Sequence, residues 1–316
     1  MTTESAFIAT LRSLATHPAA RGLLDDAAVL EIDGTNLVLT HDMIVEGVHF
    51  LADDPPSDVA WKLVAVNLSD LAAKGARPLG VLLGFSLAGD NAWDRAFIEG
   101  LRQALDSFDI ALLGGDTVSV PTGAPRALGL TAIGTAEQAP SRAGAMPGDQ
   151  LWISGSIGDA GAGLRILKGE EGPSELIERY RQPRPRLELG IALAPLVGAM
   201  MDVSDGLLID ASRMAVASGV AIDVDLRTVP LSSAFMTSLG ENREARLFAA
   251  TAGDDYELLF TAAENRAAEL LALSERLGLP LNPIGRCREG AGLTVLDGSE
   301  AVPLPDRLGY EHSAIR

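Results

Sequence analysis

The chain has 316 residues, of which 47% are hydrophobic and 22% charged, as expected for a globular protein with one large or two medium domains. Its formal net charge is −18, because acidic residues outnumber basic residues 43 to 25. Such a surface repels nucleic-acid phosphates and anionic lipid, so we expect no nucleic-acid or membrane partner, and ATP could bind only behind divalent cations.

The first half of the chain alternates between helix and strand patterns. The helix patterns cover about residues 3–16, 57–74 and 91–108, and the strand patterns cover 27–32, 37–40, 110–113 and 127–136. The strand at 37–40 leads directly into His41-Asp42, and the strand at 110–113 ends in Gly114-Gly115-Asp116. The segment 139–149 is rich in Pro, Gly and Ala. We therefore expect one domain over 1–140 and a second over 141–316.

The second half has the same mixed character. Strand patterns cover 150–154, 220–226, 255–262, 281–287 and 293–296, and helix patterns cover about residues 159–168, 186–197, 206–218 and 264–277. Strands and helices alternate without strict β-α-β regularity. This predicts an α+β protein rather than a doubly wound sheet.

Several common functional classes lack support in the sequence. The three lysines, Lys62, Lys74 and Lys168, do not follow a glycine, so the P-loop pattern is absent. The single cysteine, Cys287, excludes an intrachain disulfide and a cysteine-based zinc site. The serine-hydrolase, zincin and protein-kinase motifs are also missing. The N-terminal segment resembles an amphipathic helix rather than a signal peptide, and no apolar run approaches the roughly 20 residues that cross a bilayer, so we expect a cytoplasmic protein.

Aspartates recur where a strand or loop meets a helix or turn: Asp25, Asp26, Asp42, Asp70, Asp116, Asp202, Asp205, Asp254 and Asp255. Individually, each could cap a helix or fill a turn, and Asp70 could pair with Lys74 on a solvated helix face. Asp42 and Asp202, however, follow apolar segments. Two carboxylates about 5 Å apart repel by roughly 3 kcal/mol at an effective dielectric constant of about 20. Converging acids would therefore need hard divalent cations, and magnesium prefers oxygen ligands.

Four further features have a functional and an ordinary interpretation. The glycines before Asp116 would let the backbone approach a phosphate, or they form a turn. Arg142 could contact phosphate or lie in a solvated linker. His49 could bind a ligand or pack in a turn, and Tyr310 could stack on a ligand or pack against the protein. Spacing alone does not decide between these alternatives.

The ordered motifs resemble the thiamine-monophosphate kinase family, within the ATP-binding superfamily that includes aminoimidazole ribonucleotide synthetase. The resemblance covers about residues 20–312 and rests on the order of DDAA, LTHDMIVEGVHF, NLSDLAAKGA, LGGDT, SRAGAMPGD, DVSDGL, GDDYELLF and GYEH. It implies Mg²⁺-dependent, direct transfer of the ATP γ-phosphoryl group to thiamine monophosphate, giving thiamine diphosphate and ADP. It also implies two α/β domains and a homodimer formed through the N-terminal strands.

The resemblance further implies functional residues at matching positions. Magnesium ligands correspond to Asp26, Thr40, His41 (through its backbone oxygen), Asp42, Asp70, Asp116, Asp202 and Asp205. ATP contacts correspond to Gly115, Asp116, Arg142 and Ser204. Substrate contacts correspond to His49, Asp254 and Tyr310. The family usually has glycine where this chain has Leu24, which leaves open whether Asp25 or Asp26 faces the metal.

Two alternatives remain at this point. The chain could be another ATP-using enzyme of the same superfamily, such as aminoimidazole ribonucleotide synthetase, although DDYEL and GYEH match that enzyme poorly. It could also be a non-catalytic nucleotide-binding protein. The acids present at every implied metal position favour an enzyme.

Overall fold

The computed structural model describes residues 4–121 and 123–312. The part of the chain that it describes forms two sheets, one of five and one of seven strands, each with its own helices. The predicted α+β class is confirmed. The expected boundary between residues 140 and 141 falls in the segment that joins the two sheets and stays a prediction.

The first sheet contains β1 (Ala28–Ile32), β2 (Thr35–Val45), β3 (Arg77–Leu87), β4 (Ala111–Ser119) and β5 (Ala127–Ala136). Its strand order is β1-β2-β5-β3-β4, with β3 and β4 parallel and the other neighbouring pairs antiparallel. The accompanying helices are α1 (Glu4–Leu11), α2 (Pro56–Ala73) and α3 (Asn91–Phe108), and a 3₁₀ segment covers Pro18–Leu23.

The second sheet contains β6 (Gln150–Ser154), β7 (Ala199–Asp202), β8 (Ala221–Asp225), β9 (Leu258–Ala262), β10 (Leu281–Arg288), β11 (Gly292–Asp297) and β12 (Glu300–Val302). Its order is β12-β11-β8-β10-β6-β9-β7. The helices are α4 (Asp159–Leu167), α5 (Ser174–Arg181), α6 (Leu187–Leu193), α7 (Leu207–Ser218), α8 (Ser233–Leu239), α9 (Arg243–Ala252) and α10 (Ala267–Leu277). Short 3₁₀ segments cover Leu226–Thr228 and Glu264–Arg266.

Helix α2 lies between the two halves and is buried on nearly all sides. Its apolar residues pack against β2, β5 and α3, whereas Ala72 and Ala73 join a cluster with Trp152 and Phe260 of the second sheet. Polar side chains on a helix buried in this way need partners, because an unpaired buried charge is costly. This placement explains why the polar residues of α2 become site residues.

The largest departures from the sequence patterns lie at β3 and β4. Strand β3 was not predicted, because Pro78, Gly80 and Gly84 disfavour a strand, yet β3 pairs with β4 and β5 over most of its length. The strand predicted to end before Gly114 continues to Ser119. A side chain at position 115 would lie 1.9 Å from the carbonyl oxygen of Leu83, so glycine there permits close strand pairing.

Other differences concern two short strands and several helices, since β7 and β12 were not among the predicted strands. Helices α5, α8 and α9 were not predicted, and α1 is shorter than the predicted helix at 3–16. None of the helices within residues 4–121 and 123–312 has the length and hydropathy that crossing a bilayer requires.

Candidate active site

Three aspartates from separate elements converge between the two sheets. Asp26 precedes β1, Asp70 lies near the end of α2, and Asp202 ends β7. One carboxylate oxygen from each lies within 4.8 Å of the others. Asp70 and Asp202 are buried, and the Asp26 side chain is only 2% exposed. The predicted convergence of acids at the ends of buried elements is therefore seen for these three residues.

The electrostatics of this cluster are unfavourable without a cation. Burial raises the pKa of Asp70 and of Asp202 well above the usual range, and the neighbouring carboxylates raise both further. Burial also raises the pKa of Asp42 to about 6; nearby His41 opposes that shift, whereas Asp205 and Asp26 add to it. Among the residues that the structure describes, no ion pair reaches Asp70 or Asp202.

The Asp25–Asp26 segment, in contrast, is already paired with cations. Lys74 Nζ lies 2.5 Å from Asp25 Oδ1 and 2.8 Å from Asp26 Oδ2, and it also donates to the carbonyl oxygens of Pro140 and Met200. Arg21 pairs with Asp25, and Arg142 pairs with Asp26. Burial alone would raise the pKa of Asp26, but Arg142 and Lys74 lower it to about 2.

This arrangement shows the effect of Leu24, which stands where the family usually has glycine. Leu24 has a φ of −117°, which any residue adopts, so no glycine is required there. The left-handed residues are instead Arg21, Gly22 and Leu23. Asp25 turns toward Arg21 and Lys74, whereas Asp26 points to the acid cluster.

The donors in this cluster suit magnesium. They are carboxylate oxygens only, and two of the three carry no compensating cation within the described part of the chain. Hard divalent ions prefer such oxygen donors, and Mg²⁺ uses a few carboxylates together with substrate phosphates. The residues present therefore fit the group that the sequence predicts.

Thr40 and Asp42 adjoin the cluster on β2. The hydroxyl of Thr40 donates to the carboxylate of Asp70, and the backbone N–H of Asp42 donates to Asn67 Oδ1 at 2.9 Å. His41, between them, points to the opposite side of the strand, where its Nδ1 lies 2.9 Å from Thr131 Oγ1. That direction is consistent with a role for its backbone oxygen rather than its ring, which stays a prediction.

Asp205 lies on the loop before α7, next to two residues that the sequence did not single out. Arg213 Nη1 lies 2.5 Å from Asp205 Oδ2 and 2.8 Å from Asp210 Oδ1. Burial raises the pKa of Asp210 to about 7, partly opposed by Arg213. The i,i+3 spacing of Asp210 and Arg213 was the signal available in the sequence.

A cavity of about 510 Å³ opens onto the acid cluster. Asp42, Arg142, Ser204 and Asp205 line it together with the three clustered aspartates. Apolar side chains of α1, α7 and the 3₁₀ segment form another part of its wall: Ile8, Leu23, Ile209 and Val216. A volume of this size and mixed lining is typical of small-molecule sites.

Gly115 and Asp116 do not line this cavity. Both lie on β4, whose described residues are all exposed, at the open edge of the first sheet. Strands β5 and β3 separate β4 from β2, which places the two backbones roughly 14 Å apart. Within one chain, Asp116 is therefore not brought to the acid cluster, and its roles in metal and ATP binding stay predictions.

The three predicted substrate residues lie near one another. The ring of His312 is 5.2 Å from that of His49 and 5.0 Å from that of Tyr310. Lys62 Nζ joins His49 to Asp254, donating to the His49 carbonyl oxygen at 3.0 Å and to Asp254 Oδ2 at 2.9 Å. Sequence reasoning missed the participation of both Lys62 and His312.

The protonation of His49 follows from its contacts. Its Nδ1 accepts a hydrogen bond from the backbone N–H of Val45 at 3.0 Å, which leaves the proton on Nε2. Burial lowers the pKa of His49, and the neighbouring His312 lowers it further. The ring is therefore a neutral donor near pH 7.

Backbone hydrogen bonds connect this group to the acid cluster. The N–H of Asp254 donates to the Ser204 carbonyl oxygen at 2.7 Å, and the N–H of Tyr310 donates to the Asp205 carbonyl oxygen at 2.8 Å. The loop between β7 and α7 thus contacts both groups. A ligand lying between them could place one phosphate near the acids and its rings near the aromatic side chains.

Comparisons with known proteins show the family to which this chain belongs. Residues 24–136 match the family model described as AIR synthase related protein, N-terminal domain, and residues 146–298 match its C-terminal counterpart. The thiamine-monophosphate kinase of Caulobacter vibrioides is 42% identical over 93% of this chain and 86% of its own length.

Two solved structures have the same fold over nearly the whole chain. One is the thiamine-monophosphate kinase of Stenotrophomonas maltophilia, with a TM-score of 0.78 and 40% identity over 92% of this chain and 95% of that chain. The other, AaThiL complexed with AMPPCP and TMP, has a TM-score of 0.86 and 30% identity, covering 98% of this chain and 97% of that chain. This chain belongs to the thiamine-monophosphate kinase family, within the AIR synthase related proteins.

Proposed function

We propose that this chain transfers the γ-phosphoryl group of ATP to thiamine monophosphate, giving thiamine diphosphate and ADP. The observation that carries the proposal is the proximity of two groups of residues. The loop that follows Asp202 of the buried acid cluster accepts backbone hydrogen bonds, at Ser204 and Asp205, from Asp254 and Tyr310 of the group suited to the acceptor. The relatives' names and the complex of AaThiL with AMPPCP and TMP support the same reaction.

The proposed metal site is built around Asp26, Asp70 and Asp202. Further ligands would come from Thr40, Asp42 and Asp205, the His41 backbone and Asp116. Bound there, Mg²⁺ would neutralise phosphate charge and hold the reacting groups in position. Because Lys74 and Arg142 already pair with Asp26, the cation-poor carboxylates Asp70 and Asp202 would attract the metal most strongly.

ATP would occupy the cavity beside the acids. Arg142 lines that cavity and pairs with Asp26, and a guanidinium can exchange a carboxylate for a phosphate without losing its charge. Ser204 lines the same cavity. Gly115 and Asp116 complete the proposed ATP contacts, although they lie on β4, away from the cavity within one chain.

The acceptor would lie against His49, Asp254 and Tyr310. The neutral His49 ring can donate from Nε2, and Asp254 offers a carboxylate toward a cationic or amino-bearing ring. Tyr310 is 44% exposed and can offer its ring to the ligand. The acceptor's phosphate is ionised near neutral pH, so it needs no strong general base. Positioning and charge neutralisation would then account for the chemistry, with the phosphoryl group passing directly to the acceptor.

The reaction is tested by ADP release with Mg²⁺ in the presence of thiamine monophosphate, of thiamine, or of no acceptor. We expect release with thiamine monophosphate, and little with thiamine, since it lacks the anionic phosphate. If no ADP is released with either acceptor, the alternative of a non-catalytic nucleotide-binding protein is favoured. Turnover of an aminoimidazole ribonucleotide synthetase substrate instead would favour that enzyme.

We also propose a homodimer formed through the first sheet. Strands β1 to β4 carry six large apolar side chains that are each 48–56% exposed: Ile32, Met43, Leu79, Leu112, Leu113 and Val118. Strand β4 adds an exposed sheet edge, a feature that proteins usually cover. Light scattering after size exclusion should give twice the chain mass of 33.0 kDa. Leu113→Lys should shift the mass toward the monomer.

A further inference from the structure

Lys62 is a buried cation whose contacts all lie in the proposed acceptor region. Its side chain, on α2, is 2% exposed. Nζ lies 2.9 Å from Asp254 Oδ2, 3.0 Å from the carbonyl oxygen of His49 and 3.9 Å from the centre of the Tyr180 ring. An ammonium group has three N–H donors, and these contacts give each of them an acceptor or an aromatic face.

Asp254 needs such support because its backbone is strained. Its φ is +64°, in the left-handed region that a residue with a side chain rarely adopts. The N–H of Asp254 donates to Ser204, and the hydroxyl of Tyr256 donates to Asp254 Oδ1 at 3.0 Å. With Lys62 on Oδ2, both carboxylate oxygens have a fixed partner. The side chain is nevertheless 28% exposed, so the carboxylate stays accessible to a ligand.

The contacts of Lys62 join two parts of the chain that are distant in sequence. His49 belongs to the loop after β2, whereas Asp254 and Tyr180 belong to the second half of the chain. The hydroxyl of Tyr180 also donates to the His49 carbonyl oxygen at 3.3 Å. Lys62 therefore sets the distance between the two proposed acceptor contacts, His49 and Asp254.

The second buried lysine has a different role. Lys74 Nζ contacts Asp25, Asp26 and the carbonyl oxygens of Pro140 and Met200, and none of these belongs to the acceptor group. Lys62, twelve residues earlier on the same helix, contacts none of the clustered acids. Lys62 therefore lies on the acceptor side of the site and Lys74 on the metal side.

We propose that Lys62 is a positioning residue for the acceptor. It holds the carboxylate of Asp254 and the His49 loop in the arrangement that recognises thiamine monophosphate, without contacting ATP or metal. This inference rests on the proposed function, because Asp254 and His49 are its acceptor contacts. It predicts that losing the Lys62 charge affects acceptor binding selectively.

The test is Lys62→Met, which keeps the length of the side chain and removes its charge. We expect KM for thiamine monophosphate to rise about tenfold or more, as for the loss of one partner of a buried pair, with KM for ATP within about twofold of wild type. Calorimetric titration with thiamine monophosphate in the absence of ATP should show the same weakening. The Mg²⁺-induced rise in melting temperature should match that of wild type.

A double variant separates positioning from general damage. If Lys62 acts through Asp254, Lys62→Met/Asp254→Asn should raise KM for thiamine monophosphate no more than the worse single variant. Additive effects would contradict action through Asp254. Lys168→Met is the matched control, because Lys168 is exposed at the end of α4 and lies outside the site. If Lys62→Met does not fold, Lys62→Gln carries the same test with a polar, uncharged side chain.

The possible failures are distinguishable. A wild-type chain that releases no ADP with thiamine monophosphate overturns the proposed function, and this inference with it. An active wild type with an unchanged KM for thiamine monophosphate in Lys62→Met overturns the inference alone. Equal rises in both Michaelis constants also overturn it, because they indicate a purely structural role.

Discussion

Lys74 lies 2.8 Å from the carboxylate of Asp26 and not beside Asp70, the residue one turn earlier on the same helix. The i,i+4 spacing had suggested a pair between Asp70 and Lys74 on a solvated face, and that interpretation is wrong because α2 is buried there. Lys74 instead anchors the Asp25–Asp26 segment, whereas Asp70 has no cation within the described residues. Cations of the protein therefore neutralise the Asp25–Asp26 side of the site, whereas the Asp70 side is open to added cations.

Removing the charge of Lys74 should therefore destabilise the metal-free protein. Lys74→Met leaves Asp25 with Arg21 and Asp26 with Arg142, but both carboxylates lose a buried partner. We expect a loss of about 3–5 kcal/mol in the free energy of unfolding, measured with urea in EDTA. Lys168→Met should change it by no more than about 0.5 kcal/mol. Equal stability of wild type and Lys74→Met would contradict the anchoring role.

Neutralising an acid that has no cationic partner in the protein should preserve stability and reduce activity. Asp70→Asn removes one of the mutually repelling buried charges, so the melting temperature in EDTA should be equal to wild type or higher. Turnover should fall by about 10²–10³-fold or more, because the metal loses a ligand. Asp42→Asn should behave similarly.

The exposed turn residue Asp33 supplies the matched control for these variants. Asp33→Asn makes the same chemical change far from the cluster, and asparagine tolerates its left-handed backbone. Both its activity and the rise in melting temperature with added Mg²⁺ should resemble wild type. Full activity in Asp70→Asn or Asp42→Asn would exclude the metal role given to that residue.

The lowered pKa of His49 predicts a pH dependence of stability. The unfolded-state pKa is near 6.5, and burial beside His312 lowers the folded-state pKa. Between these two values the unfolded chain binds more protons, so the contribution of His49 is present above pH 6.5 and is lost as pH falls toward the folded-state pKa. In urea unfolding, the free energy of unfolding of wild type should decrease relative to that of His49→Gln as pH falls below 6.5. A constant difference would contradict this shift.

Direct transfer predicts that no phosphoenzyme forms. Two hydroxyls at the acid cluster donate to carboxylates: Thr40 donates to Asp70, and Ser69 donates to Asp202 at 2.5 Å. In the proposed site these two carboxylates would hold the metal, so they would not serve as the base that a hydroxyl nucleophile needs. After incubation with γ-labelled ATP and no acceptor, denatured protein should carry no label. Stoichiometric labelling that survives denaturation would overturn direct transfer.

The sequence predicted an acidic site but did not predict which ion pairs form within it. Asp42 and Asp202 follow apolar segments and were therefore expected near the interior, whereas Asp26 and Asp70 were assigned as metal ligands through the family resemblance. The structure brings Asp26, Asp70 and Asp202 together. From the sequence, the lysines served to exclude a P-loop and to suggest a surface pair between Asp70 and Lys74. Their role depends on α2 being buried between two sheets, a tertiary property that a 3.6-residue pattern does not reveal.

Asp116 illustrates a second limit of prediction from the sequence, which is the order of strands in the sheet. Two glycines after an apolar run indicated either a backbone that approaches a phosphate or an ordinary turn, yet β4 continues through them because the absence of side chains allows close pairing with β3. Strand order places Asp116 at the open edge of the sheet, and strand order depends on contacts between segments distant in sequence. A strand pattern alone cannot supply it.

Tyr310 gives a test of the acceptor side that leaves the fold nearly unaffected. The residue is 44% exposed, its ring packs edge-on against that of His312, and its backbone N–H donates to the carbonyl oxygen of Asp205. A cationic thiazolium over such a face gains roughly 0.5–2 kcal/mol, so Tyr310→Ala should raise KM for thiamine monophosphate severalfold and leave KM for ATP nearly unchanged. Tyr310→Phe, which keeps the face, should stay close to wild type in both constants. If Tyr310→Ala instead weakens ATP and spares the acceptor, the acceptor pocket lies on the other side of the acid cluster from the one proposed.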